Sequence, residues 1–237
     1  MNRVEKATLQ LRAVEILRVL KEHRTYEELA AVTDLPAGDL NRYVNGHVLP
    51  GLDRAARIVG DLGRELLADE LKARIRTDAD GYVDTTEAVF AQSLLDLVPA
   101  VATETNDFQR PDVVLTAATD GITLGAAMAR QFDARCAYAK KTKETAVEEF
   151  IESRKRLESG IELTYYLPMT AIAPNDAVLV VDDLIRSGET QDILLNIIER
   201  AGATTVGVFA LIAAGEEGLI RTRNRVDAPV DALVIVD

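Results

Sequence analysis

Val178-Leu179-Val180-Val181-Asp182-Asp183-Leu184-Ile185-Arg186-Ser187-Gly188-Glu189-Thr190 sets the architecture of this chain. The apolar, β-branched start predicts a buried strand, and the two carboxylates mark its end. The small and hydroxyl residues after them predict a turn into a helix over Thr190–Ala201. A helix entered through Ser-Gly presents free backbone amides and the positive end of its dipole, which together suit a phosphate. Asp182 and Asp183 cannot bind that phosphate directly. One turn away, they suit the hydroxyls of a ribose, or a magnesium ion bridging ribose and pyrophosphate. The plainer alternative is a strand-to-helix turn with acidic caps.

Outward from this stretch, β-rich runs at Asp112–Thr116, Ala177–Val181, Thr204–Ile212 and Val230–Val236 alternate with helical ones such as Leu124–Phe132. Such alternation predicts an α/β fold with a parallel sheet and crossover helices. Val113–Ile122 runs from a strand through Thr119, Asp120 and Gly121 into the helix at Leu124, a plausible βα turn. Ala137–Glu144 gathers Lys140, Lys141 and Lys143, three of the chain's seven lysines, in an otherwise acidic region. The charged run Glu148–Glu158 lies beyond it. Before all of these, Arg64–Arg74 predicts a charged linking helix, Thr77–Gly81 a turn, and Ala88–Val101 an apolar helix.

The first sixty residues have a different rhythm. Leu9, Leu11, Val14, Ile16, Leu17, Val19 and Leu20 recur at helical spacing and leave Arg12, Glu15, Arg18 and Lys21 largely outside. Thr25-Tyr26-Glu27-Glu28 is a capping box, so a helix starts at Tyr26 and carries Leu29 and Ala30 inward. It stops near Thr33-Asp34. Pro36 opens a second helix that runs to Asn45-Gly46. Leu40 and Val44 are expected to be buried there, with Ala37, Gly38, Asn41, Arg42 and Asn45 facing out.

Composition narrows the function classes. The 237 residues are 48% hydrophobic and 28% charged, with a net charge of −12. Residues 1–60 hold nine basic and eight acidic side chains, whereas the remainder holds eighteen against thirty-one, so the acid belongs to the second part alone. One cysteine, Cys136, excludes a disulfide framework, and two histidines, His23 and His47, argue against a Cys/His zinc site. The longest uncharged apolar run, Ala203–Gly215, is shorter than the roughly 18 residues a membrane span needs, and the charged N-terminus lacks a signal peptide's apolar core. A cytoplasmic, membrane-free setting is expected.

The Val178–Thr190 string resembles the 5-phosphoribosyl 1-pyrophosphate (PRPP) signature of type I phosphoribosyltransferases. By that resemblance Asp182 and Asp183 hold the ribose 2- and 3-hydroxyls, with Mg2+ nearby on the ligand, while Arg186, Ser187, Gly188, Glu189 and Thr190 hold the 5-phosphate. Thr119, Asp120 and Gly121 then fall in the pyrophosphate loop. Lys140, Lys141 and Lys143 look like the lysine-bearing loop of orotate phosphoribosyltransferases, with Lys141 and Lys143 the catalytic candidates. The charged run Glu148–Glu158 beyond them resembles the flexible loop, or the hood, of the same enzymes. Those enzymes usually follow the second lysine with histidine and glycine, where this chain has Glu144-Thr145-Ala146.

Glu28–Pro50 resembles the helix-turn-helix of Cro/C1 phage repressors, which implies that Arg42 reaches a base edge while Asn41, Asn45 and His47 meet phosphate or neighbouring bases. The whole chain looks like the archaeal phosphoribosyltransferase-like transcriptional regulators, including those of central sugar catabolism in salt-loving archaea. That resemblance implies a small all-α helix-turn-helix domain over 1–63 and a type I phosphoribosyltransferase fold over 64–237, with 64–76 as linking helix. It further implies a homodimer, operator DNA as partner, and PRPP or a related sugar phosphate or nucleotide, with Mg2+, as effector. The alternatives are an active purine or pyrimidine phosphoribosyltransferase with an appended domain, and an N-terminal interaction module without a DNA role.

Overall fold

The computed structural model describes all residues except 80, 81, 157–159, 161 and 237. The turn expected at Thr77–Gly81 and the end of the Glu148–Glu158 run thus lie partly outside the described residues. Two compact units emerge: Met1–Arg74 with Ala91–Thr105, and Ile75–Phe90 with Asn106–Asp237. The boundary expected between residues 63 and 64 falls inside a helix. The linking helix expected over 64–76 is the later part of that same element, which ends at Lys72.

The first unit is helical. α1 (Arg3–His23) opens on a capping box between Asn2 and Glu5 and buries Ala13, Val14, Ile16, Leu17 and Leu20. Leu11, expected inside, is 52% exposed because the buried stripe starts only at Ala13. α2 (Tyr26–Thr33) starts on the expected capping box: the Thr25 hydroxyl accepts from the Glu28 amide at 3.2 Å, and the Glu28 carboxylate accepts from the Thr25 amide at 2.7 Å. Asp34, in the left-handed region, ends it, and α3 (Ala37–Val44) follows after a short turn. In α3 Tyr43 takes the inward position expected for Val44, which is only partly buried. Tyr43 shares a helix face with Leu40 as Val44 does, and Arg54 donates to the Tyr43 hydroxyl at 2.7 Å. α4 (Leu52–Val59) and α5 (Asp61–Lys72) follow.

The apolar helix expected over Ala88–Val101 is three short ones, α6 (Thr86–Val89), α7 (Gln92–Leu95) and α8 (Val98–Thr105). Pro99, tolerated only in a helix's first turn, fixes where the last can start. α6 belongs to the second unit, and α7 and α8 to the first.

The second unit begins with a short antiparallel pair, β1 (Arg76–Thr77) and β2 (Val83–Asp84). Its centre is a five-stranded sheet containing β3 (Val113–Ala117), β4 (Arg135–Ala139), β7 (Ala177–Ile185), β8 (Thr204–Ala214) and β9 (Val230–Val236). The order is β4-β3-β7-β8-β9 and every pairing is parallel. The crossover helices are α9 (Gly121–Phe132), α10 (Glu189–Ala201) and α11 (Glu217–Arg223). β5 (Phe150–Arg156) and β6 (Glu162–Pro168) form a separate antiparallel pair. The charged run expected as a flexible loop or hood is largely strand, with Ile151 and Ser153 buried and Glu152 and Arg154 less so, the period of two a strand demands.

Chain direction places the site. From β3 the chain passes through α9 to β4 on one side, whereas from β7 it passes through α10 to β8 on the other. The carboxyl ends of the neighbouring strands β3 and β7 thus flank a topological switch point, where the loops diverge and leave a crevice. Among the described residues no helix is long and apolar enough to cross a membrane.

Candidate functional site

The acidic pair ends the strand that opens this crevice. Asp182 is buried at 5% exposure, and its Oδ1 accepts the Asp183 backbone N–H at 3.2 Å. Gln191, itself buried in the first turn of α10, donates to Asp182 Oδ2 at 2.7 Å and fixes the carboxylate's orientation. Burial, and then the neighbouring Asp183 charge, hold the Asp182 carboxyl well above the usual carboxylate range. Asp183 is also raised, chiefly by burial, with Asp120 adding repulsion. Carboxylates crowded this way gain from hydroxyl donors or a cation.

The loop after β3 reaches the same point. Thr119 and Asp120 are exposed at its tip, the Ala118–Thr119 peptide is cis, and Gly121 starts α9. A Cβ at Gly121 would lie 2.3 Å from Thr116 Oγ1 and 2.9 Å from Asp182 Oδ1, so only glycine lets the helix start lie against the acidic pair. Beyond β7, Ser187 donates its hydroxyl to Glu189 at 2.9 Å, and Gly188 turns the chain into α10 at φ +75°. Arg186 sits at the edge with its guanidinium 4.6 Å from the centre of the Tyr82 ring. The structure therefore brings together Thr119–Gly121, Asp182, Asp183 and Arg186–Thr190.

The three lysines divide. Lys141 lies 5.9 Å from the centre of the Tyr165 ring, and Tyr165 in turn lies near the Thr190 side chain and feels the Asp182 charge. Burial first, then that charge, raises the Tyr165 hydroxyl's pKa. Lys140 instead pairs with Glu144, and Lys143 with Glu152 at 3.4 Å and the Tyr166 ring at 4.8 Å. Lys140 also lines a cavity of about 540 Å³ beside β4 that none of Thr119–Gly121 or Asp182–Thr190 borders. Of the three lysines, Lys141 is the one that shares a neighbour, Tyr165, with the acidic pair among the described residues.

In the helical unit, Gly38, Asn41, Arg42, Asn45 and His47 are exposed along and just after α3, and Ala37 is half-buried. Asn45 donates to the Asn41 carbonyl at 2.8 Å, so this amide is partly committed to its own helix.

Sequence reasoning missed Gln191 and Tyr165. Gln191 stands right after the motif, and its place in the helix's first turn could have singled it out. Tyr165 arrives from another strand, and nothing in the sequence signals that. The donor set fits magnesium: the adjacent carboxylates of Asp182 and Asp183 are hard oxygen groups that would meet the cation through a bound ligand. Among the described residues no group of three or more His, Cys, Asp or Glu could hold a metal unaided.

The site is thus a parallel sheet with an acidic pair and a helix start at its switch point. The chain belongs to the phosphoribosyl transferase domain family, whose profile matches residues 87–227. It is 34% identical to an adenine phosphoribosyltransferase of Maricaulis maris over 114 residues, 48% of this chain and 64% of that one. It thus spans a little under two thirds of that relative's length. A hypoxanthine/guanine phosphoribosyltransferase of Methanopyrus kandleri is 29% identical over 57% of this chain and 68% of its own. Among solved structures, an adenine phosphoribosyltransferase from Rhodothermus marinus superposes with TM-score 0.62 at 27% identity, covering 73% of this chain and 99% of that one.

Proposed function

We propose that the second unit binds PRPP and transfers its phosphoribosyl group to a purine base. The observation that carries this is the meeting of Asp182–Asp183, Gly121 and the start of α10 at one end of β3 and β7. The names of the similar proteins, all purine phosphoribosyltransferases, support the purine over the pyrimidine choice. In the reaction a base nitrogen forms a bond to ribose C1, the bond from C1 to the pyrophosphate oxygen breaks, and the base nitrogen's proton passes to solvent. Asp182 and Asp183 orient the ribose hydroxyls, the amides of Ser187–Thr190 take the 5-phosphate, and those around Thr119–Gly121 face the leaving pyrophosphate. Lys141 supplies positive charge to that group. Magnesium, met by Asp182 and Asp183 through the ligand, would neutralise pyrophosphate charge.

A specific observation favours a second reading of the same site. α2 and α3 are joined by a short turn, and α3 exposes Gly38, Asn41 and Arg42, the form of a helix-turn-helix whose second helix enters a major groove. In that reading a homodimer binds operator DNA and PRPP or a nucleotide is its effector, shifting the DNA-competent population only by its differential affinity.

One experiment separates them. Pyrophosphate release is measured with adenine, guanine, hypoxanthine, xanthine and orotate. Bound sequences are selected from random duplex DNA at high potassium, with and without PRPP and magnesium. Release with a purine supports transfer. No release, with a palindrome enriched in a ligand-dependent way, supports the regulator and overturns transfer.

A further inference from the structure

Asp192 stands in the first turn of α10, two residues past the phosphate loop, and its side chain is only 10% exposed. Three cations converge on it. Lys155 from β5 pairs with Oδ2, Arg221 from α11 donates its Nε to the same oxygen at 2.9 Å with Nη2 at 2.8 Å, and Arg225 Nε stands 3.7 Å from Oδ1. Asp192 also closes the first helical turn, its backbone N–H donating to the Gly188 carbonyl at 3.0 Å. Arg221 reaches the loop itself, with Nη1 3.5 Å from the Ser187 carbonyl oxygen.

Backbone contact explains why α11 comes so near. A Cβ at Gly188 would meet the Gly218 carbonyl at 3.0 Å and Arg221 Cδ at 3.2 Å, while one at Gly218 would meet the Arg186 carbonyl at 2.4 Å. The start of α11 thus lies on Arg186–Gly188 with no side chain between them. One carboxylate joins the loop's own helix, the helix packed behind it and the strand opposite. A phosphate is gripped by amides only if they already point at it, since each disordered residue costs conformational entropy on binding.

We propose that Asp192, through Arg221, is a positioning residue that holds the amides of Ser187–Thr190 ready for a ligand's 5-phosphate. The assignment of that phosphate rests on the proposed function; the ordering of the loop does not.

The test exploits opposite signs. Asp192→Asn removes a negative charge beside an anion site, so a purely electrostatic role predicts tighter phosphate binding. Positioning predicts weaker binding, by about tenfold, the order of one charge-assisted hydrogen bond. Ligand-free amide hydrogen exchange is measured at Ser187–Thr190 in wild type, Asp192→Asn and Asp192→Glu. PRPP–magnesium affinity is titrated in the same proteins, with the partly exposed Arg221→Gln as a second variant should Asp192→Asn fail to fold. Faster exchange confined to the loop, weaker PRPP binding, and recovery of both in Asp192→Glu are the expected results. Unchanged exchange and unchanged or tighter binding in a folded variant would overturn the proposal. Faster loop exchange in a protein whose wild type binds no PRPP would uphold the positioning role and reject the assigned ligand.

Discussion

Asp182→Asn is expected to stabilise the ligand-free protein at neutral pH while abolishing its response to PRPP. Asp182 is 5% exposed and abuts Asp183, and its carboxyl holds a proton more tightly in the folded chain than in the unfolded one. The fold therefore keeps this contribution in full below the unfolded value, about 3.9, and loses it as pH rises through the raised folded value. At neutral pH asparagine removes the repulsion, and its amide oxygen can still accept from Gln191, 2.7 Å away in wild type. Relieving one unfavourable site group returns about 1–2 kcal/mol, which is a few degrees of Tm at about 2–4 °C per kcal/mol for a chain of this size. If the proposed function holds, saturating PRPP and magnesium should stabilise the wild type by about 2.7 kcal/mol at 100-fold over Kd, so ligand is expected to reverse the order of the two proteins. Thermal unfolding from pH 4 to 8, with and without ligand, reads all of this. A variant less stable at pH 7.5, or a difference that does not shrink on acidification, would refute the reasoning.

Gly188→Ala should lower Tm and weaken PRPP, because φ +75° alone costs a side chain about 1–2 kcal/mol and its Cβ would press on the Gly218 carbonyl; calorimetric titration and melting check both. Lys141→Ala should slow pyrophosphate release by at least about tenfold, the order of one charged contact, and Lys143→Ala far less, since Lys143 is engaged with Glu152 and Tyr166; equal effects would reject the division of the lysines. Chelating magnesium should remove the PRPP-induced rise in Tm without changing the ligand-free melt. Arg42→Ala should leave Tm nearly unchanged, as exposed substitutions do within about 0.5 kcal/mol, yet cost about 1–3 kcal/mol in DNA affinity if Arg42 reads a guanine; selection from random duplexes tells the two readings apart.

Much of the fold was legible because its elements announce themselves locally. The runs ending at Val181 and Ile212 are apolar enough to be central strands and the one ending at Val236 apolar enough to be a strand, and Thr25–Glu28 and Gly188 mark helix starts through their own hydrogen-bonding and φ requirements. The misread parts lacked such local signals. Ala88–Val101 is mostly apolar, and its polar residues Gln92, Ser93 and Asp96 give no clear period from which to read its breaks. Glu148–Glu158 is charged enough to pass for a loop, but alternate residues of β5 face inward and pair with β6. Tyr43 displaced Val44 because burial follows the neighbours a helix face meets.

The sequence by itself determined the α/β class and the contiguity of the candidate site's central motif, since an apolar run, two carboxylates and a Ser-Gly helix start are adjacent and their physics is short-range. Only the tertiary structure decided which distant groups join them. Gly121 and Tyr165 come to the acidic pair, and Lys155 and Arg221 to Asp192, from other elements of the same unit. Lys140 and Lys143 are drawn instead to carboxylates of their own. Adjacency along a chain fixes dihedrals and caps, but which charge lies beside which is settled by strand order, and strand order is a property of the folded sheet.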